Sequence, residues 1–547
     1  MEKVRNSKTA KKWLPLIVLA SALMIIIIDT TVLNVSIRNM ITDLKTNVQA
    51  IQWVISAYAL TLAALTVTGG RLGDLFGRKK IFVIGAVLFA VGSITTALAP
   101  TIAWVIFGNA IIEGIGAALM MPATASLLVS NYRGKERALA FAIWGAVAAS
   151  AAAIGPILGG WLTTNYSWRW AFGINVVVVA LLIFGSRYIQ ESRDNQEKKQ
   201  LDFTGVILSS LGLTSIVYGL IESSTYGWWK TKVPFAIFGQ SFNPFGLSVT
   251  VVSIIAGLAA LTIFAYHEKR REAKGKTPLV SLSLFKNSQF TAGSVTTALM
   301  AVGQSGIIFA VPIFYQSVLG LDAFHTGLGL LPMSIAVMIG APLALKFSKK
   351  LTPKQVIQLG FIINTIGIVY MYTVLSASSG PMTLAPGLFL YGIGMGFAFS
   401  QLSNLTLSAV AVDQSGEASG VNSTLRQVGA SFGSAIIGAA LISTISSAAI
   451  SNINGSQVLP NSMKPAIVKR VEAAGSNIEF ANPGNVPNIA EAIKNEIVKN
   501  IHEATVEGNK ISLALTGIFT IIALMFSIKL PNIRDLDTAK EAVSSGH

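Results

Sequence analysis

The chain is 547 residues long, 52% hydrophobic and only 12% charged, a balance that excludes an ordinary water-soluble protein of this length and makes the bilayer its expected solvent. Cysteine is absent, which excludes disulfides, thiolate metal sites and thiol nucleophiles. A formal charge of +16 would point to nucleic acid in a soluble protein, but here the 41 Lys and Arg have first to be placed against membrane topology.

In chain order, a Lys-rich head precedes the apolar run Trp13 to Val35, which is long enough to span and is followed by no small-residue cleavage site. It is read as the first membrane helix. Further spanning runs follow near residues 50–72, 80–99, 103–128, 138–164, 170–189, 203–222, 246–266, 289–319, 327–348, 355–376, 384–411, 420–446 and 511–530. Each reaches the roughly 20 helical residues that a hydrocarbon core of about 30 Å requires. Fourteen crossings put both termini on one side. Most Lys and Arg fall in the alternate segments on the side of the N-terminus, so both termini are expected in the cytoplasm, in a multi-pass protein of the cell membrane. The positive charge is then topological, and nucleic acid is not an expected partner.

Charged segments at Arg187 to Gln200 and His267 to Lys286 bracket the seventh and eighth helices. The expected plan is therefore an all-α, polytopic 6+2+6 arrangement: a bundle over 1–190, an inserted pair over 191–286, and a second bundle over 287–547. The last unit includes a polar outer loop at 447–510, with an amphipathic helix near Ile489 to Val506. That loop is either a lid over the pathway or a decoration.

Between helices 2 and 3 stands Gly70-Arg71-Leu72-Gly73-Asp74-Leu75-Phe76-Gly77-Arg78-Lys79-Lys80. An ordinary positive-inside loop would account for the basic residues, but not for spaced glycines around a single Asp. On helix 5, Gly145 is followed ten residues later by Gly155-Pro156-Ile157-Leu158-Gly159-Gly160, a run that permits a kink and close helix contact. The first motif resembles the signature loop of the major facilitator superfamily, where it latches the two bundles on the cytoplasmic side. The second resembles the antiporter motif that this family associates with export. With fourteen helices, the chain is similar to the drug:proton antiporter branch of multidrug efflux type. Gln52-Trp53-Val54 with Tyr58, Trp168-Arg169-Trp170-Ala171-Phe172 with Asn175, Asp202-Phe203-Thr204-Gly205 and Leu425-Arg426-Gln427 extend the resemblance over nearly the whole length.

The resemblance implies the major facilitator fold and, as latch residues, Gly70, Arg71, Gly73, Asp74, Gly77, Arg78 and Lys79. It implies Gly145, Gly155, Pro156, Gly159 and Gly160 as the antiporter motif. It also implies a secondary active, proton-coupled exporter of small hydrophobic or cationic compounds, monomeric, without cofactor or catalytic residues. The branch usually carries an Arg in helix 4 where this chain has Ala110, and a Gln where it has Glu113. The second-half copy of the signature loop lacks its Asp. An exporter of a lipid or lipid-like metabolite, with altered or absent proton coupling, is the alternative within the same fold.

Ionisable residues deep in predicted helices are few. Asp29 in helix 1 and Glu113 in helix 4 are the candidates for the coupling and substrate site. Burying a charge in hydrocarbon costs at least about 2.5–3.5 kcal/mol, so such groups face a cavity or a partner. With Ala110 in place of Arg, Glu113 has no obvious fixed cation. Trp53, Tyr58, Asn109, Gln304 and Asn404 are candidate cavity-lining residues, and Trp168 and Trp170 read as an interfacial belt. Glu222 reads as solvated at the outer end of helix 7. His267, His325, His502 and His547 fall in predicted loops or at the terminus, so no metal centre is expected. Gly275-Lys276-Thr277 lacks the first glycine of a phosphate loop, which argues against direct ATP drive.

Overall fold

The computed structural model describes residues 2–132, 134–192, 202–231, 233–237, 240–241, 246–276, 278–348, 350–408, 410, 415–474 and 490–532; within these, the side chains of residues 2–11, Asp74, Gly145 and Asn404 are among those outside the description. The first half comprises α1 (Glu2–Val35), a short α2 (Ile37–Leu44), α3 (Val48–Phe76) and α4 (Arg78–Ala97). A fourth crossing is built from α5 (Ile102–Val105), a π-helical stretch (Ile106–Glu113) and α6 (Gly114–Asn131), and α7 (Gly134–Asn165) and α8 (Trp168–Gly185) complete the bundle. The inserted pair is α9 (Phe203–Tyr226) and α10 (Val249–Ala273), joined through a two-residue hairpin (Ala236–Ile237 with Gln240–Ser241). The second half comprises α11 (Ser288–Ser317), α12 (Ala323–Phe347), α13 (Pro353–Val374), α14 (Pro381–Leu407), α15 (Ser415–Gly455), α16 (Lys464–Ala474) and α17 (Glu491–Ser527).

Among the described residues thirteen helices are long and apolar enough to span; α7, a 32-residue helix with several side chains outside the description, stands where the remaining expected crossing falls. The fold is all-α, two six-helix bundles with two additional helices. Helix starts are set by short polar side chains that accept otherwise orphaned backbone N–H groups: Asn47 at α3, Ser167 at α8, Asp322 at α12, and Thr352 with Gln355 as a reciprocal capping box at α13.

We call the side carrying the start of α1 the near face and the other the far face. On the near face the signature loop turns at Gly77, whose φ of 105° favours a residue without Cβ. Glu191, just beyond α8, accepts from the Lys79 and Lys80 N–H groups at 2.9 and 3.2 Å, and Arg78 N donates to the Ser192 carbonyl at 3.0 Å. A carboxylate thus sits on the N-terminus of α4 and ties the loop to the end of its own bundle. The Asp74 side chain, and with it the partner of the expected latch, lies outside the described residues.

On the far face the two bundles meet. Gln316 of α11 donates to the carbonyls of Asn34 and Val35 and accepts from Arg38 N. Gln52 of α3 donates to the carbonyls of Ser434 and Ala435 on α15, and the hydroxyls of Ser56 and Ser434 are hydrogen-bonded at 2.6 Å. Phe324 N at the start of α12 donates to Thr164 of α7 at 3.1 Å. Near the same face Asp43 accepts from Trp168 Nε1 and pairs with Arg169, whose other nitrogen reaches the Ala99 carbonyl at 3.0 Å. Burial opposes ionisation of Asp43, but the Arg169 and Trp168 donors outweigh it and hold the carboxyl below its usual range. Trp168 is therefore buried and bonded, while Trp170 is exposed, as the belt reading expects.

Two boundary expectations are corrected. The amphipathic segment and the last crossing form one helix, α17, of 37 residues, and α15 continues for 41. At 1.5 Å per residue these reach about 55–60 Å and project beyond a 30 Å core. Leu459 beyond α15, Ile467 and Val471 of α16, and Ile497 and Ile501 of α17 join one buried apolar cluster with Ile37, Met40, Ile41 and Val48 of the first half. Polar loop composition hid these helices because only one face is apolar. For the same reason His267, His325 and His502 lie in helices and not in loops.

Candidate functional site

The site starts from a close helix crossing. A Cβ on Gly92 of α4 would fall 2.5 Å from Glu113 N and 2.6 Å from the Gly108 carbonyl, so the two backbones touch only because neither residue carries a side chain there. This brings Ser93, the next residue, against the π-helical stretch. That stretch closes i→i+5 turns and puts Asn109 and Glu113 on one face, a widening that recurs at functional sites.

Into this crossing α1 presents Asp29 and α8 presents Asn175. Asn109 Nδ2 donates to Asp29 Oδ2 and to Glu113 Oε2, both at 3.1 Å. Asn175 Nδ2 donates to Asp29 Oδ1 and to Glu113 Oε1, again both at 3.1 Å. Ser93 Oγ donates to Glu113 Oε1 at 2.5 Å. Two amides therefore bridge two carboxyls, and all five residues are at most 2% exposed. Among the described residues no Lys, Arg or His bonds either carboxyl. Ala110, where an Arg was missed in the sequence, is fully buried.

The cluster is incompletely satisfied. The hydroxyl of Tyr58 and the Oδ1 atoms of Asn109 and Asn175 are buried without a hydrogen-bond partner. Buried polar atoms left unpaired cost about 1–3 kcal/mol each, a cost that a binding or proton-transfer site carries for its function.

The other predicted residues sit elsewhere. Trp53 donates to Glu222 Oε1 at 2.8 Å and packs on Tyr218 of α9. Glu222, on α9, is half-buried and not simply solvated, because Gln49 of α3 also donates to it at 3.2 Å. Gln304 is half-buried in α11. Asn404 and Gly145 lie outside the described side chains. The helix 5 motif divides: Gly155 and Gly159 pack on Thr31 and Val32 of α1, whereas Gly160 and the Pro156 carbonyl pack across the seam on Ala323 and Gly327 of α12.

A groove of about 330 Å³ lies between α1 and α7 in the near half, lined by Trp13, Leu16, Ile17, Ala20, Ser21, Met24, Ile143 and Val147. It does not reach the carboxyls, ending at Met24, little more than one turn of α1 before Asp29.

Sequence reasoning missed Ser93 and gave Asn175 no role in the site. Asn175 had a signal, a polar amide within the apolar run of α8; Ser93 had none, since a lone Ser is ordinary in membrane helices.

A family model described as Major Facilitator Superfamily matches residues 19–434. The chain is 26% identical over 520 residues to the tetracenomycin C resistance and export protein of Streptomyces glaucescens, covering 94% of this chain and 90% of that protein. It is 29% identical over 431 residues to the multidrug efflux pump LfrA of Mycolicibacterium smegmatis, covering 78% and 80%. Among solved structures, a bacterial homologue of the human lysosomal transporter Spinster superposes with a TM-score of 0.59 at 15% identity, covering 94% of this chain and 95% of that one, a likeness of fold.

Proposed function

The chain belongs to the major facilitator superfamily, and on that premise we propose that it exports lipophilic, preferentially cationic, compounds in exchange for protons, by alternating exposure of one site to the two sides of the cell membrane. Family membership makes it a membrane transport protein and not an enzyme. The relatives named above are export and efflux proteins, which supports an outward direction. The basic residues on the near face support placing that face, and both termini, in the cytoplasm.

The observation that carries the reading is the bridged pair Asp29 and Glu113. Two carboxylates in one buried site without a cation repel each other at short range in low dielectric, so the pair retains a proton or gains a positive charge. A cationic substrate supplies that charge and releases the proton; a returning proton displaces the substrate. The apolar groove along α1 supports entry of lipophilic compounds from the near leaflet.

The test is transport of ethidium, a lipophilic cation, in proteoliposomes carrying the purified protein. An imposed pH gradient is expected to drive ethidium movement that collapses when the gradient is dissipated. Movement that ignores the gradient would favour the lipid exporter without proton coupling.

A further inference from the structure

At the near end of the inserted pair, Asp202 caps the N-terminus of α9, its Oδ1 accepting from Gly205 N at 3.0 Å. Two residues from the last turns of α10 converge on it. His267 Nε2 stands 3.0 and 3.2 Å from the two oxygens of Asp202, and Arg271 Nε pairs with Oδ2 at 3.1 Å. Glu268 is fully buried. Its Oε2 accepts from Val280 N at 3.0 Å, but its Oε1 finds no donor. That orphaned oxygen points into the same cradle: a Cβ on Gly205 would meet Glu268 Oε1 at 2.6 Å and Asp202 Oδ2 at 2.8 Å. One ligand atom from each of Asp202, His267 and Glu268 lies within 4.8 Å of the others.

We propose that Asp202, His267 and Glu268 form a binding site for a divalent transition cation of the zinc class, at the foot of the inserted helices. One imidazole and two carboxylates are a ligand set suited to such an ion, with bonds of about 2.0–2.2 Å. Tetrahedral ligands at that distance stand about 3.4 Å apart, so the present 3.0 Å between His267 Nε2 and Asp202 has only to open slightly. The cation answers the unpaired Oε1 of Glu268, which otherwise keeps a buried acceptor without a partner. Arg271 remains on Asp202 Oδ2 as the outer partner that orients the carboxylate. Water completes the coordination from the side of His267, whose ring is 27% exposed. Bound metal would staple the end of α10 to the start of α9.

The experiment titrates Zn²⁺ alone into the full-length, tag-free protein in detergent, after chelation, by calorimetry. We expect one saturable site per chain. His267→Gln and Glu268→Gln should each weaken it at least about tenfold, the scale on which even second-shell losses act, while His325→Gln, at the far-face pair with Asp322, leaves it unchanged. His267→Gln sits at the rim and keeps the Glu268–Val280 tie, so its fold is the safer one, checked by monodispersity without metal. Absence of a saturable site, or a site that both variants bind with wild-type affinity, would overturn the proposal and leave a proton shared between Asp202 and Glu268 as the occupant of the cradle.

Discussion

Glu113→Gln should reduce pH-driven export to the level of empty liposomes while leaving the protein folded and inserted. Glutamine keeps a similar volume and one acceptor oxygen, enough for Ser93 and Asn175, and its N–H groups can be met by the unpartnered Oδ1 of Asn109 if that amide turns over, so the packing of α4 on the π-helical stretch is preserved. What is lost is the ability to give up a proton. Asp29→Asn removes the other half of the pair and should act differently, weakening ethidium binding about tenfold, or about 1.4 kcal/mol, with neutral substrates less affected. The asymmetry follows from the partners: among the described residues Glu113 accepts from three donors, Ser93, Asn109 and Asn175, whereas Asp29 accepts from the two amides. Export by Glu113→Gln in proportion to an imposed pH gradient would remove Glu113 as the proton carrier.

Gly160→Leu should also stop export, by a mechanical route. A Cβ at 160 would fall 2.8 Å from both the Ala323 carbonyl carbon and the Phe324 Cα, and on the Ala323 oxygen itself. These are backbone atoms that cannot rotate away, so α7 and α12 must part. Overpacking of this kind costs about 1–3 kcal/mol, and the whole cost falls on the state in which the far-face seam is closed. A bias of about 2 kcal/mol shifts a two-state balance roughly thirtyfold towards the far-open form. Because the natural chain has no cysteine, a single Cys in place of Gln52 at the seam gives the readout, the loss of the Gln52 bonds to Ser434 and Ala435 being common to the proteins compared with and without Gly160→Leu. Its maleimide labelling should rise sharply in Gly160→Leu, and unchanged labelling with full transport would show that the contact is passive. Gly159→Leu provides the contrast, since it meets the side chain of Val32 within its own bundle.

The membrane class, the run of many crossings and the signature loop were legible because apolar runs of about twenty residues and spaced glycines leave direct marks on a sequence. Asp29 and Glu113 were legible for a related reason: a carboxyl inside an apolar run is costly and so conspicuous. Their bridging amides were not, because Asn109 and Asn175 become partners only through the Gly92–Gly108 crossing and the π-helical turn, which no periodicity announces. Trp53 and Glu222 illustrate the converse error. Each is separately plausible as a cavity or surface residue, and their 2.8 Å bond depends on α9 packing against α3, a tertiary choice. The cradle at Asp202 likewise joins residues 65 positions apart. The projecting ends of α15 and α17 were hidden in polar composition.

The most direct test of the central claim measures protons. Purified protein in detergent, in weakly buffered solution with a pH indicator, is mixed with ethidium at saturating concentration. If the Asp29–Glu113 pair exchanges a proton for a cation, the wild type releases protons on binding and Glu113→Gln binds ethidium without releasing any. Ethidium binding by the wild type with no proton release, or equal release from Glu113→Gln, would contradict the account.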